Sequence, residues 1–253
     1  MLPLRSFIVY SKTVLKCNSM RDCQILGVFN YCFSRRIDVI SRLSSSYCGF
    51  TDEDKKLCIE RLKKVKMSPN PKSEKLGKAA VLIPLCCVDG EPSILYTLRK
   101  GHLKRHKGQV SFPGGKHDSD DTDLEHTALR ETEEELGIPQ SSIEVWGHGN
   151  TFSAREFNIL PVLGYVGNIN VSNLKPNPSE VELAFTVPIS HFCNNQNCKY
   201  TQYRNGSGYI LPVYIKGDLK VWGITALITH IVLRSLVPKQ YKFELQFVRP
   251  IFP

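Results

Sequence analysis

Apolar residues run without a break from Ala79 to Val88, in the order Ala-Ala-Val-Leu-Ile-Pro-Leu-Cys-Cys-Val. A run of that length reads as a strand buried on both faces. Asp89-Gly90 is a turn dipeptide, and residues 93–98 return as a second apolar stretch, which predicts a hairpin. Further strand patterns fall at residues 143–148, 159–166, 182–187 and 209–215. Helical spacing predicts a short helix over 53–65, one from Thr122 or Asp123 to Leu136, and a last apolar helix over 224–236. Asp121 or Thr122 is placed to cap the middle helix, and Gly137 followed by Pro139 to stop it. Strand clusters interleaved with helices predict an α+β or α/β/α layered domain.

The same pattern divides the chain. Residues 79–240 carry the strong periodic segments and read as the domain proper. Residues 51–78 are charged, hold Pro69 and Pro71, and read as a lead-in; residues 241–253 read as a tail. Residues 1–50 read as a leader, for reasons of charge. The 253-residue chain carries a formal +9, and its 42% hydrophobic and 23% charged residues exclude a collagen-like, coiled-coil or wholly disordered protein. That excess points to nucleic acid, a membrane surface or an anionic small molecule as partner. Residues 1–50 hold seven Lys and Arg against only Asp22 and Asp38, so +5 of the excess lies in the first fifth of the chain. A basic, Ser-rich, acid-poor start has the composition of a transit peptide, here read as mitochondrial. No apolar run reaches the roughly 18 residues that span a bilayer.

Nine cysteines make no disulfide framework by spacing. Cys17, Cys23, Cys32 and Cys48 fall in the leader, Cys86 and Cys87 are adjacent in an apolar run, and Cys193 and Cys198 lack a second pair to complete a zinc site. Reduced thiols are expected.

Candidate chemistry concentrates in Arg130-Glu131-Thr132-Glu133-Glu134-Glu135-Leu136-Gly137. Residues three and four apart share a helix face, so Glu131, Glu134 and Glu135 project one carboxylate cluster. Like charges at those spacings each cost roughly 0.2–0.5 kcal/mol on an isolated helix, a cost that a divalent cation removes. Upstream, Gly114-Gly115 lets backbone approach closely, and a carbonyl of Gly115 is placed to complete a metal shell.

Gly115 to Ile138 resembles the Nudix box, Gly-x5-Glu-x7-Arg-Glu-U-x-Glu-Glu-x-Gly-U with U apolar. Arg130, Glu131, Glu134, Glu135, Gly137 and Ile138 match its second half. Asp121 stands where the first Glu belongs, one extra residue separates it from Arg130, and Thr132 replaces an apolar residue. The flank Leu95-Tyr96-Thr97-Leu98-Arg99, Gly108 and Phe112-Pro113-Gly114-Gly115 is similar to the signature of the coenzyme A diphosphatases of that family, with Lys100 and Lys104 as departures.

The resemblance implies the Nudix fold, an α/β/α sandwich with a mixed central sheet. It implies metal-dependent hydrolysis, with Mg²⁺ or Mn²⁺, of coenzyme A or acyl-CoA to 3′,5′-ADP and (acyl-)4′-phosphopantetheine. Catalysis then falls to Glu131, Glu134 and Arg130, and the metal to Glu131, Glu134, Glu135 and Gly115. Arg130 is expected to hold a carboxylate rather than touch substrate. Glu131, Glu180 and Glu182 are the candidate general bases. Arg99, Lys104, Arg105 and Lys107 are the candidate substrate-binding residues, since the nucleotide end of coenzyme A is strongly anionic; His102 and His106 are read as lining that loop.

Tyr96, Phe152 and Tyr209 serve either the core or adenine stacking, and Trp222 is read as buried packing. Glu134 and Glu135 are both expected to face solvent and metal. Two other readings stay open: a Nudix pyrophosphatase acting on NADH or ADP-ribose, and a non-catalytic RNA-binding module. The carboxylate cluster speaks against the second, so no nucleic acid is expected as partner; a homodimer is left open.

Overall fold

The computed structural model describes residues 47–65, 76–101, 108–154, 156–201 and 209–247. The leader expectation falls mostly outside these residues, as do Lys104, Arg105, Lys107, His102 and His106.

The first element, α1 (Asp52–Lys64), is started by Thr51, whose side chain accepts from the Asp54 amide while the Asp54 carboxylate takes the Thr51 N–H. The central sheet follows: β1 (Gly77–Val88), β2 (Glu91–Arg99), β3 (Val110–Ser111), β4 (Gly114–Lys116), then helix α2 (Leu124–Leu136), β5 (Glu144–His148), β6 (Phe152–Ala154), β7 (Phe157–Asn168) and β8 (Val181–Pro188). After a short α3 (Ile189–Cys193) come β9 (Cys198–Tyr200), β10 (Tyr209–Ile210), β11 (Pro212–Lys216), β12 (Leu219–Val221), α4 (Gly223–Leu236) and β13 (Gln246–Phe247).

The sheet is mixed. β1 lies parallel to β7, Ala79 opposite Ile159 and Leu82 opposite Val162, and antiparallel to β2. β8 runs antiparallel along the whole of β2, from Ser93 opposite Pro188 to Arg99 opposite Val181. β1 pairs with the first half of β2 and then, at its other end, with β4; β3 pairs with the second half of β2. The chain carrying Gly114-Gly115 is thereby held beside the middle of the sheet.

Alternation along the strands sends side chains to two cores. Ala80, Leu82, Leu95, Val162 and Ala184 join Ala128 and Leu136 of α2 on one face. Ile83, Leu85, Tyr96, Leu163, Phe185 and Val187 join α1 and α4 on the other, through Leu62, Ile228, Val232 and Leu236. The arrangement is the expected sandwich: α2, sheet, then α1 with α4.

Several expectations are corrected. Tyr47 is buried, stacks edge-on against Trp146 and Tyr165, and donates to Glu144 at 2.7 Å, so the last residues assigned to the leader belong to the domain. Cys48 and Cys87 form a disulfide with their Cα atoms 5.5 Å apart, where reduced thiols were expected; spacing in sequence could not show that the fold returns residue 48 to the end of β1. Tyr241 and Phe243 are buried, which extends the domain past residue 240. The strand pattern over 209–215 is broken at Leu211 into β10 and β11. Tyr96 and Phe152 are core residues and not stacking surfaces.

Trp222 is 46% exposed rather than buried. Val221 points inward at the end of β12, so its extended neighbour Trp222 points out before Gly223 turns the chain into α4. Among the described residues no helix is long and apolar enough to cross a membrane.

Candidate functional site

Helix α2 is built for its position. Asp123, not Asp121 or Thr122, caps it, accepting from the His126 amide at 2.7 Å, and Gly137 closes its other end. Ala128, Thr132, Glu135 and Leu136 lie on its sheet-facing side, as their spacing of four, three and one requires. Thr132 fills a position expected to be apolar, and does so because its hydroxyl is satisfied by the Ala128 carbonyl at 2.7 Å.

That helical register buries Glu135, which is 2% exposed. It does not face solvent as expected. Its Oε1 receives Arg99 Nη1 at 3.2 Å, whereas its Oε2 is buried without a partner among the described residues. Burial raises its pKa to about 8, helped by the neighbouring charges of Glu131 and Glu180 and opposed by Arg99 and by the backbone amide of Gly114. Glu131 is shifted up as well, first by burial and then by Glu134 and Glu180, against the pull of Arg130. The backbone of Gly114-Gly115, a strand and not the turn expected, runs along β1 and passes close to this helix at Glu131. A Cβ on Gly115 would fall on the Glu131 carboxylate, and one on Gly114 (φ +151°) on the backbone of β1. Glycine is required at Gly114, where φ is positive and backbone is in the way, whereas a side chain at Gly115 would have to push the Glu131 carboxylate aside.

Arg130 is a hub. Its Nε and Nη2 reach both oxygens of Asp121 at 2.8 and 3.0 Å, its Nη1 lies 3.2 Å from Glu134 and from Glu131, and Nη2 also meets the Lys116 carbonyl. Asp121 is buried and also accepts from Thr127 Oγ1 at 2.9 Å and from the Asp118 amide at 3.0 Å. These bonds, led by that from Arg130, hold its carboxyl far below the usual range. The residue one atom shorter than the expected Glu is thus reached from a longer loop. Thr127 escaped the sequence reading, although a Thr three residues before Arg130 on the inward side of the helix was the available signal.

The remaining candidates divide. Glu180 approaches the site: its Oε2 is 3.8 Å from Arg99 Nη2, and its charge is felt by both Glu131 and Glu135. Its carbonyl accepts the Lys100 amide at 2.9 Å, which ties the start of β8 to the end of β2. Glu182 is exposed on β8. Glu134 is exposed and turned to Arg130.

Could these residues hold a metal? Among the described residues no three acidic, His or Cys side chains already converge as a cage. The donors nevertheless suit a hard divalent cation. Glu131 and Glu135 offer oxygen donors from one helix, burial disfavours the anion of each, and one buried oxygen has no partner among the described residues. A cation there would satisfy Glu135 Oε2 and relieve the repulsion.

A family model described as the NUDIX domain matches residues 76–201. The mouse protein named mitochondrial coenzyme A diphosphatase NUDT8 is 44% identical over 200 residues, covering 77% of this chain and 93% of its own. The human protein of that name is 46% identical over 170 residues, 66% of this chain and 72% of its own. Nudix hydrolase 3 of Caenorhabditis elegans is 34% identical, covering 78% and 90%. Among solved structures, a MutT/nudix family protein from Enterococcus faecalis aligns over 75% of each chain at 16% identity and a TM-score of 0.43.

Proposed function

The chain belongs to the Nudix family, and from that premise we propose that it is a metal-dependent hydrolase of the diphosphate bond of coenzyme A and acyl-CoA. The products are 3′,5′-ADP and (acyl-)4′-phosphopantetheine. The observation that carries this is the buried Oε2 of Glu135, without a partner among the described residues, on the helix that sets Glu131 against Gly115 of β4. The substrate class is supported by the coenzyme A diphosphatases named above and by the basic residues that precede Gly114 in the sequence.

Glu131, Glu134, Glu135 and the Gly115 carbonyl are the proposed ligands of Mg²⁺ or Mn²⁺. Such an ion, when bound, neutralises the diphosphate and lowers the pKa of a water for attack on phosphorus. Arg130, fixed along Asp121, holds Glu131 and Glu134 at the distances described and so acts as a positioning residue. Hydrolysis needs a group to take the proton of the attacking water. Glu131, beside Arg130 and Gly115 at the proposed metal site, is the first candidate. Glu180, at the same site, is the second candidate and the exposed Glu182 the third. Arg99, Lys104, Arg105 and Lys107 receive the phosphates of the nucleotide end.

The experiment is a mass-resolved product assay on coenzyme A, acyl-CoA, NADH and ADP-ribose with Mg²⁺ or Mn²⁺. Coenzyme A or an acyl-CoA should be cleaved fastest at equal concentration; faster cleavage of NADH or ADP-ribose would overturn the substrate assignment. The compartment is proposed to be the mitochondrion, on the basic leader and on relatives whose names carry that word. Exclusion of the full-length chain from mitochondria in a fractionation would refute it.

A further inference from the structure

Among the described residues two arginines meet the carboxylates of this site, and they are held very differently. Arg130 uses all three guanidinium nitrogens, lies along both oxygens of a buried Asp121 and is braced by the Lys116 carbonyl. It is a strut. Arg99 makes one 3.2 Å contact to Glu135 Oε1 and a looser 3.8 Å approach to Glu180 Oε2. Arginine clamps on carboxylates are frequently bidentate, whereas this contact is to one oxygen and Glu135 Oε2 has no partner among the described residues.

We infer that Arg99 is an exchangeable counter-ion, which pairs with Glu135 and Glu180 in the metal-free protein and is displaced from them by the divalent cation. Three observations support the exchange. First, among the described residues Arg99 is the guanidinium that meets two acids of the proposed metal site, with Nη1 3.2 Å from Glu135 Oε1 and Nη2 3.8 Å from Glu180 Oε2. A divalent ion brought beside it would place positive charge against positive charge in a partly buried site, where such repulsion is weakly screened. Second, the backbone of Arg99 stays anchored whatever its side chain does. Its amide donates to the Gln109 carbonyl, and its own carbonyl accepts the Gly108 amide, each at 3.0 Å. Only a side-chain rotation at the last residue of β2 is needed. Third, the side chain is 23% exposed and so has a way out of the carboxylate pocket. The displaced guanidinium then lies at the start of the basic segment proposed to receive phosphate, which explains why one residue is placed to serve carboxylates and phosphates in turn.

The inference rests on the metal-dependent reading of the site, and its test separates the two. Binding of Mn²⁺ without substrate is followed by electron paramagnetic resonance for wild type, Arg99→Gln and Arg99→Lys, with thermal melting to verify folding. Removal of a competing charge should tighten Mn²⁺ by roughly tenfold or more in Arg99→Gln, while Arg99→Lys, which keeps a charge, should stay near wild type. Weaker or unchanged binding in Arg99→Gln would make Arg99 a fixed support and overturn the exchange. No Mn²⁺ binding by wild type would overturn the metal reading together with the exchange. Should Arg99→Gln not fold, wild type decides the matter by nuclear magnetic resonance of the arginine Nη–H groups, through which Arg99 meets Glu135 and Glu180. The Arg99 signal should lose its solvent protection at saturating Mg²⁺, and a signal that stays protected overturns the exchange.

Discussion

Arg130 lies side-on along Asp121, with Nε 2.8 Å from Oδ1 and Nη2 3.0 Å from Oδ2. Asp121 is the residue that departs from the expected box, and it is also the one that fixes the orientation of the only arginine bonded to both Glu131 and Glu134 among the described residues. Asp121→Ala should therefore lower stability by roughly 2–3 kcal/mol, through a lost charged hydrogen-bond pair. It should also lower kcat more than it raises KM, because it misplaces carboxylates and not substrate. Denaturant melts with steady-state kinetics check both; unchanged kcat in a folded variant would remove the positioning role of Arg130.

Glu134→Gln and Glu135→Gln should each lower kcat by roughly 10²-fold or more. Their structural effects should differ. Glu134 is exposed, so its replacement leaves stability unchanged, whereas Glu135→Gln relieves a buried charge and should stabilise the metal-free protein at alkaline pH. Full activity in both would sink the metal-helix assignment.

The sign of that pH effect follows from Glu135. Its pKa is raised from 4.5 to about 8 in the fold, so folding favours the protonated form. The stability it contributes is complete below about pH 4.5 and is lost as pH rises through about 8. Chelator-treated wild type should melt at progressively lower temperature across that window relative to Glu135→Gln. Mn²⁺ should restore the lost stability of wild type at the upper end, where the carboxylate is free of its proton. Parallel Tm profiles for the two proteins would contradict the assignment.

Arg105→Ala should raise KM for coenzyme A more than for its dephospho form, since the basic segment is proposed to read the 3′-phosphate. Equal increases would show that it does not.

The Cys48–Cys87 disulfide closes a separation of 39 residues and should contribute about 3–4 kcal/mol if chain entropy dominates. Dithiothreitol, or Cys48→Ser, should lower Tm accordingly, and non-reducing peptide mapping should recover residues 48 and 87 in one cross-linked fragment. Separate peptides with free thiols would refute the pairing.

The sandwich itself was largely readable in the sequence, because β1, β2, β7, α2 and α4 each carry an uninterrupted or strictly periodic apolar pattern. Short elements escaped. β6, β9 and β12 are three residues each, too few to express a period, and α3 is a single five-residue turn. At the site, the helical spacing placed Glu131, Glu134 and Glu135 on one helix, but not on the single face expected: Glu135 is buried against the sheet, Glu134 is exposed, and the three do not converge among the described residues. It could not show that the register turns Glu135 inward, because that depends on which side of α2 meets the sheet. Tyr47 and Cys48 were unreadable for a different reason: what surrounds them in sequence is basic and polar, while what surrounds them in space is Trp146, Tyr165 and the end of β1.

The chain has two tryptophans in opposite environments. Trp146 is packed against Tyr47 and Tyr165 within the core, whereas Trp222 stands out at the entrance to α4. Their emission therefore sums a shielded, blue-shifted component and a quencher-accessible, red-shifted one. Acrylamide separates the two, so one optical signal follows loss of the sheet while the other registers whatever comes up against the start of α4.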